Sequence, residues 1–196
     1  MDYFDRIWED VPSGAVPERF EARRDFLLAG VGPGERVLDV GCGEGAFSAA
    51  LAAIGAEPVG VDVAVEPLRR ARARFPELEL HLVGDRLPFP ADAFDVVWAG
   101  EVLEHVADGL GLLEELRRVL RPGGRLLVST PDHPRRVVWR LAFSRAAFER
   151  HFSPLHDHVR FFTRRTLLLL LEEAGFGSVA FAPGGPAVGL LARAER

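Results

Sequence analysis

Short apolar runs alternate along this chain with stretches whose apolar residues recur at helical spacing. Arg36-Val37-Leu38-Asp39-Val40 has the pattern of a buried strand running into Gly41-Cys42-Gly43, and Phe47, Leu51 and Ile54 then form a helical stripe that stops at Gly55. A second strand is predicted over Pro58–Asp62. The next helix carries Leu68, Ala71 and Phe75, with Pro67 early, where a missing N–H costs little. Leu78–Val83 and Phe94–Trp98 read as the third and fourth strands, and Leu110, Leu113, Leu116 and Leu120 mark a helix after them. Pro122-Gly123-Gly124 reads as a turn before a fifth strand at Arg125–Ser129. Strands alternating with helices predict a doubly wound α/β fold: a parallel sheet covered on both faces.

The pattern changes towards the end. A helix through Leu167, Leu168, Leu171 and Ala174 is closed by Gly175, and two short strands follow near Ser178–Ala182 and Val188–Arg193. Their link, Pro183-Gly184-Gly185-Pro186, predicts an antiparallel pair. Only residues 132–162 read as an insertion. At the start, Tyr3, Phe4, Ile7 and Trp8 share one helical face, suited to packing or to a flap.

Length and composition narrow the class. The 196 residues, 48% of them hydrophobic, suit one domain with a sizeable core. A net charge of −5 argues against a protein that coats nucleic acid, and no nucleic-acid partner is expected. Every one of the 24 basic residues is arginine, which excludes Schiff-base chemistry and a P-loop. A single cysteine, Cys42, excludes an intrachain disulfide framework and suits a reducing compartment. The N-terminus lacks the apolar segment of a signal peptide, and Leu167–Leu171 falls far short of the roughly 18 apolar residues that suggest a spanning helix. The expectation is a cytoplasmic protein with no membrane partner.

Candidate chemistry begins at Val37-Leu38-Asp39-Val40-Gly41-Cys42-Gly43-Glu44-Gly45. Glycines at a strand-to-helix turn let a ligand approach the backbone at the carboxyl edge of the sheet. The spacing Gly41-x-Gly43-x-x-Ala46, with Asp62 some way downstream, also fits a dinucleotide site. Charge separates the two readings. Asp39, Glu44, Asp62, Asp85 and Glu101 line the strand ends, and such a rim repels a pyrophosphate. It suits a ligand bearing a sulfonium, an ammonium and ribose hydroxyls.

The successive segments VLDVGCGEG, GVDV, GDRLPFPADAFDVVWAGEVLEHV and LRPGGRLLVSTP resemble the ordered motifs of class I S-adenosylmethionine-dependent methyltransferases of the small-molecule type. The resemblance covers about residues 30–195. It implies a Rossmann-like seven-stranded sheet of order 3-2-1-4-5-7-6 with strand seven antiparallel, in a single domain carrying a cap at 132–162. It also implies S-adenosyl-L-methionine as cofactor. Gly41, Cys42 and Gly43 would line its methionine end, and Asp39 and the Ala99 carbonyl would hold its ammonium. Asp62 would accept from the ribose, Val63 would pack on the adenine, and Asp85 with the Arg86 N–H would bind the adenine edge.

The acceptor side is less defined. Residues 132–165 hold eight arginines against three acids, a local charge of +5 that leaves −10 elsewhere. This is either a solvated helical cap or a surface that attracts an anionic acceptor. His133, His151, His156 and His158 fall in the same stretch. In Glu101-Val102-Leu103-Glu104-His105, positions i, i+3 and i+4 would share a helix face. The segment resembles the E-x-x-E-H stretch of ubiquinone-pathway O-methyltransferases and of RNA 3′-terminal 2′-O-methyltransferases. With His158, those side chains would suit Mg²⁺ or Mn²⁺, but small-molecule methyltransferases with no known metal need carry the same stretch, and no metal is assigned. The reading is a methyltransferase acting on a small, anionic acceptor at oxygen, with His158 or His105 as the proton acceptor. A non-catalytic binding protein of the same fold and a metal-dependent RNA methyltransferase are the alternatives. The sequence leaves the oligomeric state open.

Overall fold

In the computed structural model, which describes residues 3–84, 86–153, 157–183 and 189–196, seven strands form one sheet. The strands are β1 (Arg36–Val40), β2 (Glu57–Asp62), β3 (Glu79–Leu82), β4 (Phe94–Gly100), β5 (Leu120–Thr130), β6 (Gly177–Phe181) and β7 (Leu190–Glu195). Their order is β3-β2-β1-β4-β5-β7-β6. The first five pair in parallel, and β7 runs antiparallel to both β5 and β6. The expected sheet is therefore the observed one. The Pro183–Pro186 link lies mostly outside the described residues, but the antiparallel pair it implied is present.

Successive residues of the central strands serve opposite faces of the sheet. Leu38, Val97, Leu126 and Val128 pack on one side with Leu113 and Leu116 of α5 (Gly109–Val119) and Leu167 and Leu171 of α8 (Arg164–Glu173). Val37, Val96, Trp98 and Leu127 pack on the other with Leu27 of α2 (Phe20–Ala29) and Phe47 and Leu51 of α3 (Ala46–Ala53). A parallel sheet buried on both sides needs near-continuous apolar strands, and these have them apart from a few polar positions such as Asp39. The turn expected at Pro122–Gly124 lies inside β5, as the irregularity where its register with β4 shifts between Phe94 and Val96.

Helix α2 is absent from the sequence expectation. Its inward stripe is Phe20, Arg23 and Leu27, and Arg23 is buried at a position where an apolar residue would normally mark the helix. The remaining helices are α1 (Tyr3–Asp10), α4 (Val65–Arg74), and α6 (Arg135–Phe143) with α7 (Arg145–His151) in the cap. Among the described residues, no helix is long and apolar enough to cross a membrane.

Candidate active site at the carboxyl edge of the sheet

Strand β1 delivers the glycine loop to the edge. Gly41, Gly43 and Gly45 all have positive φ, which L side chains rarely adopt. A Cβ on Gly41 would lie 2.8 Å from Val102, and one on Gly43 3.1 Å from the Trp8 ring. Asp62, at the end of β2, closes the loop: Oδ2 accepts from the Gly43 N–H and Oδ1 from the Ala64 N–H, each at 2.9 Å. Burial pushes its carboxyl above the ordinary range, against the pull of those backbone donors. Val63, next in the chain, is exposed.

Asp39 lies deeper. It is almost wholly buried, and Ser48 Oγ donates to its Oδ2 at 2.6 Å. Burial pushes its carboxyl up to about 7, with the nearby Asp62 adding to the rise and Ser48 and Arg23 opposing it. Cys42 packs with Leu68, Ala71 and Leu80, and burial pushes its thiol up, which makes it a spacer and not a nucleophile. Ala99 is buried on β4, and Arg86 is exposed. Asp85 lies outside the described residues.

The acidic rim carries partners the sequence did not reveal. The Arg23 guanidinium stacks over Phe47 and Trp98, donates to Ser129 Oγ at 3.0 Å, and sits in the field of Glu101, Glu104 and Asp39. Burial lowers its pKa, and those three acids counter the effect. A side chain on Gly100 would collide with it, so the small residue lets the guanidinium cross the strand. Arg70 pairs with Glu44 at 3.1 Å, and Arg19 lies 3.8 Å from Glu101. The rim is thus a set of partly neutralised carboxylates, not a bare negative edge.

Helix α1 lies against this loop, with the Trp8 ring at Gly43. Asp5 Oδ1 accepts from the Val65 and Glu66 N–H groups at 2.8 and 3.2 Å, capping α4, whose own N-cap residue, Ala64, has no side-chain acceptor. Arg70 donates to the carbonyls of Trp8 and Val11 at 3.0 and 2.7 Å, and Glu44 accepts from the Gly14 N–H at 2.6 Å.

The Glu101–His105 segment departs from expectation because it is not a helix. Glu101 has φ +57°, a left-handed conformation that breaks helical geometry, and its N–H donates to the Ser129 carbonyl at 2.9 Å, prolonging the β4–β5 ladder. The Glu104 carbonyl accepts from Val159 and Arg160, not from a following helical turn. Glu101 consequently contacts Ser129 and Arg19 and is not among the three side chains that converge. Glu104, His105 and His158 do converge, each offering a ligand atom within 4.8 Å of the others. The two imidazole rings meet edge to face at 4.8 Å.

Within that trio, Thr130 Oγ1 donates to Glu104 Oε2 at 3.0 Å, and Oε1 is buried with no hydrogen-bond partner among the described residues. Burial, reinforced by Glu101, pushes the Glu104 carboxyl up to about 8. His105 Nδ1 lies 3.2 Å from the Asp157 carbonyl. A carbonyl can only accept, so this contact calls for a proton on Nδ1, the tautomer of a neutral ring that leaves Nε2 the lone pair a base or a ligand needs. Val102 packs on Gly41, so this trio and the glycine loop share one edge.

Comparison with known proteins gives a consistent picture. A family model described as a methyltransferase domain matches residues 13–180. The chain is 41% identical over 114 residues to demethylmenaquinone methyltransferase of Tropheryma whipplei (strain Twist), a match covering 57% of this chain and 48% of that protein. It is 34% identical over 165 residues to ubiquinone biosynthesis O-methyltransferase of Ruegeria sp. (strain TM1040), covering 81% of this chain and 67% of the relative. The match to the Tropheryma protein therefore spans about half of that relative's length. Among solved structures, an S-adenosylmethionine dependent methyltransferase from Mesorhizobium loti superposes with a TM-score of 0.69 at 25% identity, covering 93% of this chain and 99% of that one.

Proposed function

Because the chain belongs to the methyltransferase-domain family, we propose that it transfers the methyl group of S-adenosylmethionine to oxygen of a small acceptor. When bound, the cofactor supplies an electrophilic methyl group on a sulfonium. The residues present fit that ligand. Gly41 and Gly43 hold the loop in a left-handed conformation with no side chain of its own at the carboxyl edge, the Asp62 carboxylate stands at the end of β2, and Asp39 lies beneath. Asp62 accepts from the ribose, Val63 packs on the base, and the negative field of Asp39 favours an ammonium. Asp85, Arg86 and Ala99 complete the set by resemblance to the family.

The observation that carries the acceptor side is the orphaned Glu104 oxygen beside His105 and His158. A hydroxyl acceptor must lose its proton as the new bond forms. His105 Nε2, held in the correct tautomer by Asp157, accepts that proton, with His158 the alternative site. Glu104, its carboxyl pushed up by burial, lies beside both rings, where an imidazolium would draw it towards its charged form. The arginine surplus of the cap favours an anionic acceptor. Ubiquinone biosynthesis O-methyltransferase, the Ruegeria relative named above, supports oxygen as the methylated atom. The lone buried cysteine fits a reducing compartment, and we place the reaction in the cytoplasm.

One observation favours a second reading. Glu104, His105 and His158 form a donor set with metal-like separations, and a divalent ion held there would polarise the acceptor hydroxyl. Labelled S-adenosylmethionine incubated with the protein and cell extract tests both readings. Transfer of label to a small molecule, insensitive to chelators, supports the base. Transfer abolished by chelators and restored by Mg²⁺ or Mn²⁺ supports the ion. Absence of any labelled product contradicts both.

A further inference from the structure

Two adjacent hydroxyls end β5, and the methyl-transfer reading gives neither a role. Ser129 and Thr130 are both wholly buried. Consecutive side chains of a strand point to opposite faces of the sheet. Ser129 follows Leu127 onto the face packed by α2 and α3, and Thr130 follows Val128 onto the face packed by α5 and α8. On the first face the Ser129 hydroxyl accepts from Arg23 Nε and donates to Glu101 Oε1, each at 3.0 Å, and Arg19 lies 3.8 Å from the other Glu101 oxygen. On the second the Thr130 hydroxyl donates to Glu104 Oε2 at 3.0 Å, and Glu104 converges with His105 and His158. The dipeptide therefore sorts the two carboxylates of the Glu101–His105 segment. One is held with the arginines, the other with the imidazoles.

We propose that the Thr130 hydroxyl is the positioning group of the acceptor site, holding the Glu104 carboxyl in the orientation that leaves its second oxygen to His105 and His158. Both ends of that contact are built to stay in place. The Ser129-Thr130 backbone is pinned from two sides, because Ser129 is in register with Gly100 of β4 and with Leu191 of β7. The chain entering β7 passes so close that a Cβ on Gly189 would come within 2.7 Å of the Thr130 carbonyl. The branched Cβ of threonine restricts the rotamers from which its hydroxyl can reach out. At the other end, the Glu104 carbonyl accepts from the Val159 and Arg160 N–H groups at 2.8 and 3.1 Å, which fixes the backbone that carries the carboxyl.

The two carboxyl oxygens have different tasks. Oε2 is satisfied by Thr130, while Oε1 is buried with no hydrogen-bond partner among the described residues. Loss of the hydroxyl would leave neither oxygen held, and a buried carboxyl in that state bears the full cost of desolvation and turns to find another donor. Thr130 acts through Glu104, so its contribution is alignment of the trio and not transfer of a proton. Misplacement by about 1 Å costs a reaction of this kind up to about a hundredfold in rate. That catalytic consequence rests on the proposed function; the orientation of Glu104 by Thr130 does not.

The test compares Thr130→Val, which keeps the branched shape and removes the hydroxyl, with Thr130→Ser, which keeps the hydroxyl and removes the methyl group. Ser129→Ala is the neighbouring control. The ring signals of His105 and His158, assigned by His105→Gln and His158→Gln, are read by NMR of the full chain without cofactor or acceptor. The valine variant should move both rings' signals, and the serine and alanine variants should leave them in place. In transfer of label from S-adenosylmethionine to cell extract, Thr130→Val should lower the rate at saturating cofactor by about 10–100-fold. Cofactor affinity, measured by calorimetry, should not change, and Thr130→Ser should restore the rate. Signals that stay in place in the valine variant, signals displaced as far by either other variant, or a full transfer rate in Thr130→Val would overturn the proposal. If the valine variant fails to fold, the serine variant still decides, because a packing role for the methyl group predicts a displacement there. Absence of transfer by the unmodified protein contradicts the methyl-transfer reading and leaves the ring signals to decide the orientation of Glu104, so the two can fail independently.

Discussion

The glycine-loop edge and the cap sit at one end of the same sheet and are built in opposite ways. At the loop, Asp39, Asp62, Glu44 and the Trp8 carbonyl of α1 are each held by hydrogen bonds of 2.6–3.1 Å. Among the described residues of the cap, Leu141 of α6 and Phe162 are buried, α7 buries nothing, and large aromatic side chains face outward. A fixed, partly desolvated cradle suits a ligand whose shape does not change from turnover to turnover. An amphipathic, loosely packed cap suits selection of an acceptor. The difference assigns invariant chemistry to one region and specificity to the other.

The sharpest way to break that division is to remove the proposed proton acceptor. His105→Ala or His158→Ala should lower kcat by about 10²–10⁴-fold and leave S-adenosylmethionine affinity unchanged. Full turnover in both variants, measured with the acceptor found in extract, would remove the trio from the mechanism. Stability separates the regions next. Trp98, packed against Phe47 and Phe26, should cost about 3–5 kcal/mol when cut to alanine. Phe143→Ala should change stability by no more than about 0.5 kcal/mol, both read by denaturant unfolding. Comparable losses at the two sites would mean that the cap is core.

Titration offers a third contrast. The buried carboxyls of Glu104 and Asp39 sit at about 8 and about 7 in the folded protein. An unfolded chain releases these protons at about pH 4. The folded state therefore binds more protons across that window, and their contribution to stability falls as pH rises from about 4 towards 8. Glu104→Gln should flatten that fall in Tm between pH 5 and 8, and an unchanged slope would contradict the burial argument. A further effect concerns α1: Asp5→Ala should cost about 1 kcal/mol, the usual value of an N-cap. A loss of nothing in thermal melts would mean that α1 does not cap α4.

What the chain disclosed in advance follows the same division. Strand β1 occupies the residues its apolar pattern marked, and the sheet order follows the resemblance of the motifs. Helix α2 stayed hidden because Arg23 fills a core position, in the field of acids that are distant in sequence. The spacing of Glu101, Glu104 and His105 suggested a helix, but Glu101 takes a left-handed conformation that residue types do not announce. Asp5 is 60 residues from the helix it caps, which no local pattern records. Long-range polar pairing, in short, lies outside periodicity.

The central claim is that the carboxyl edge of β1 and β2 is an S-adenosylmethionine site anchored at Asp62. Isothermal titration of the full chain with S-adenosylmethionine and with NAD tests it most directly. The account predicts one-to-one binding of the first and none of the second. It further predicts that Asp62→Ala weakens the first by about 1.5–3 kcal/mol, through loss of charge-assisted ribose hydrogen bonds. Tighter binding of NAD, or an Asp62→Ala variant with undiminished affinity, would contradict it.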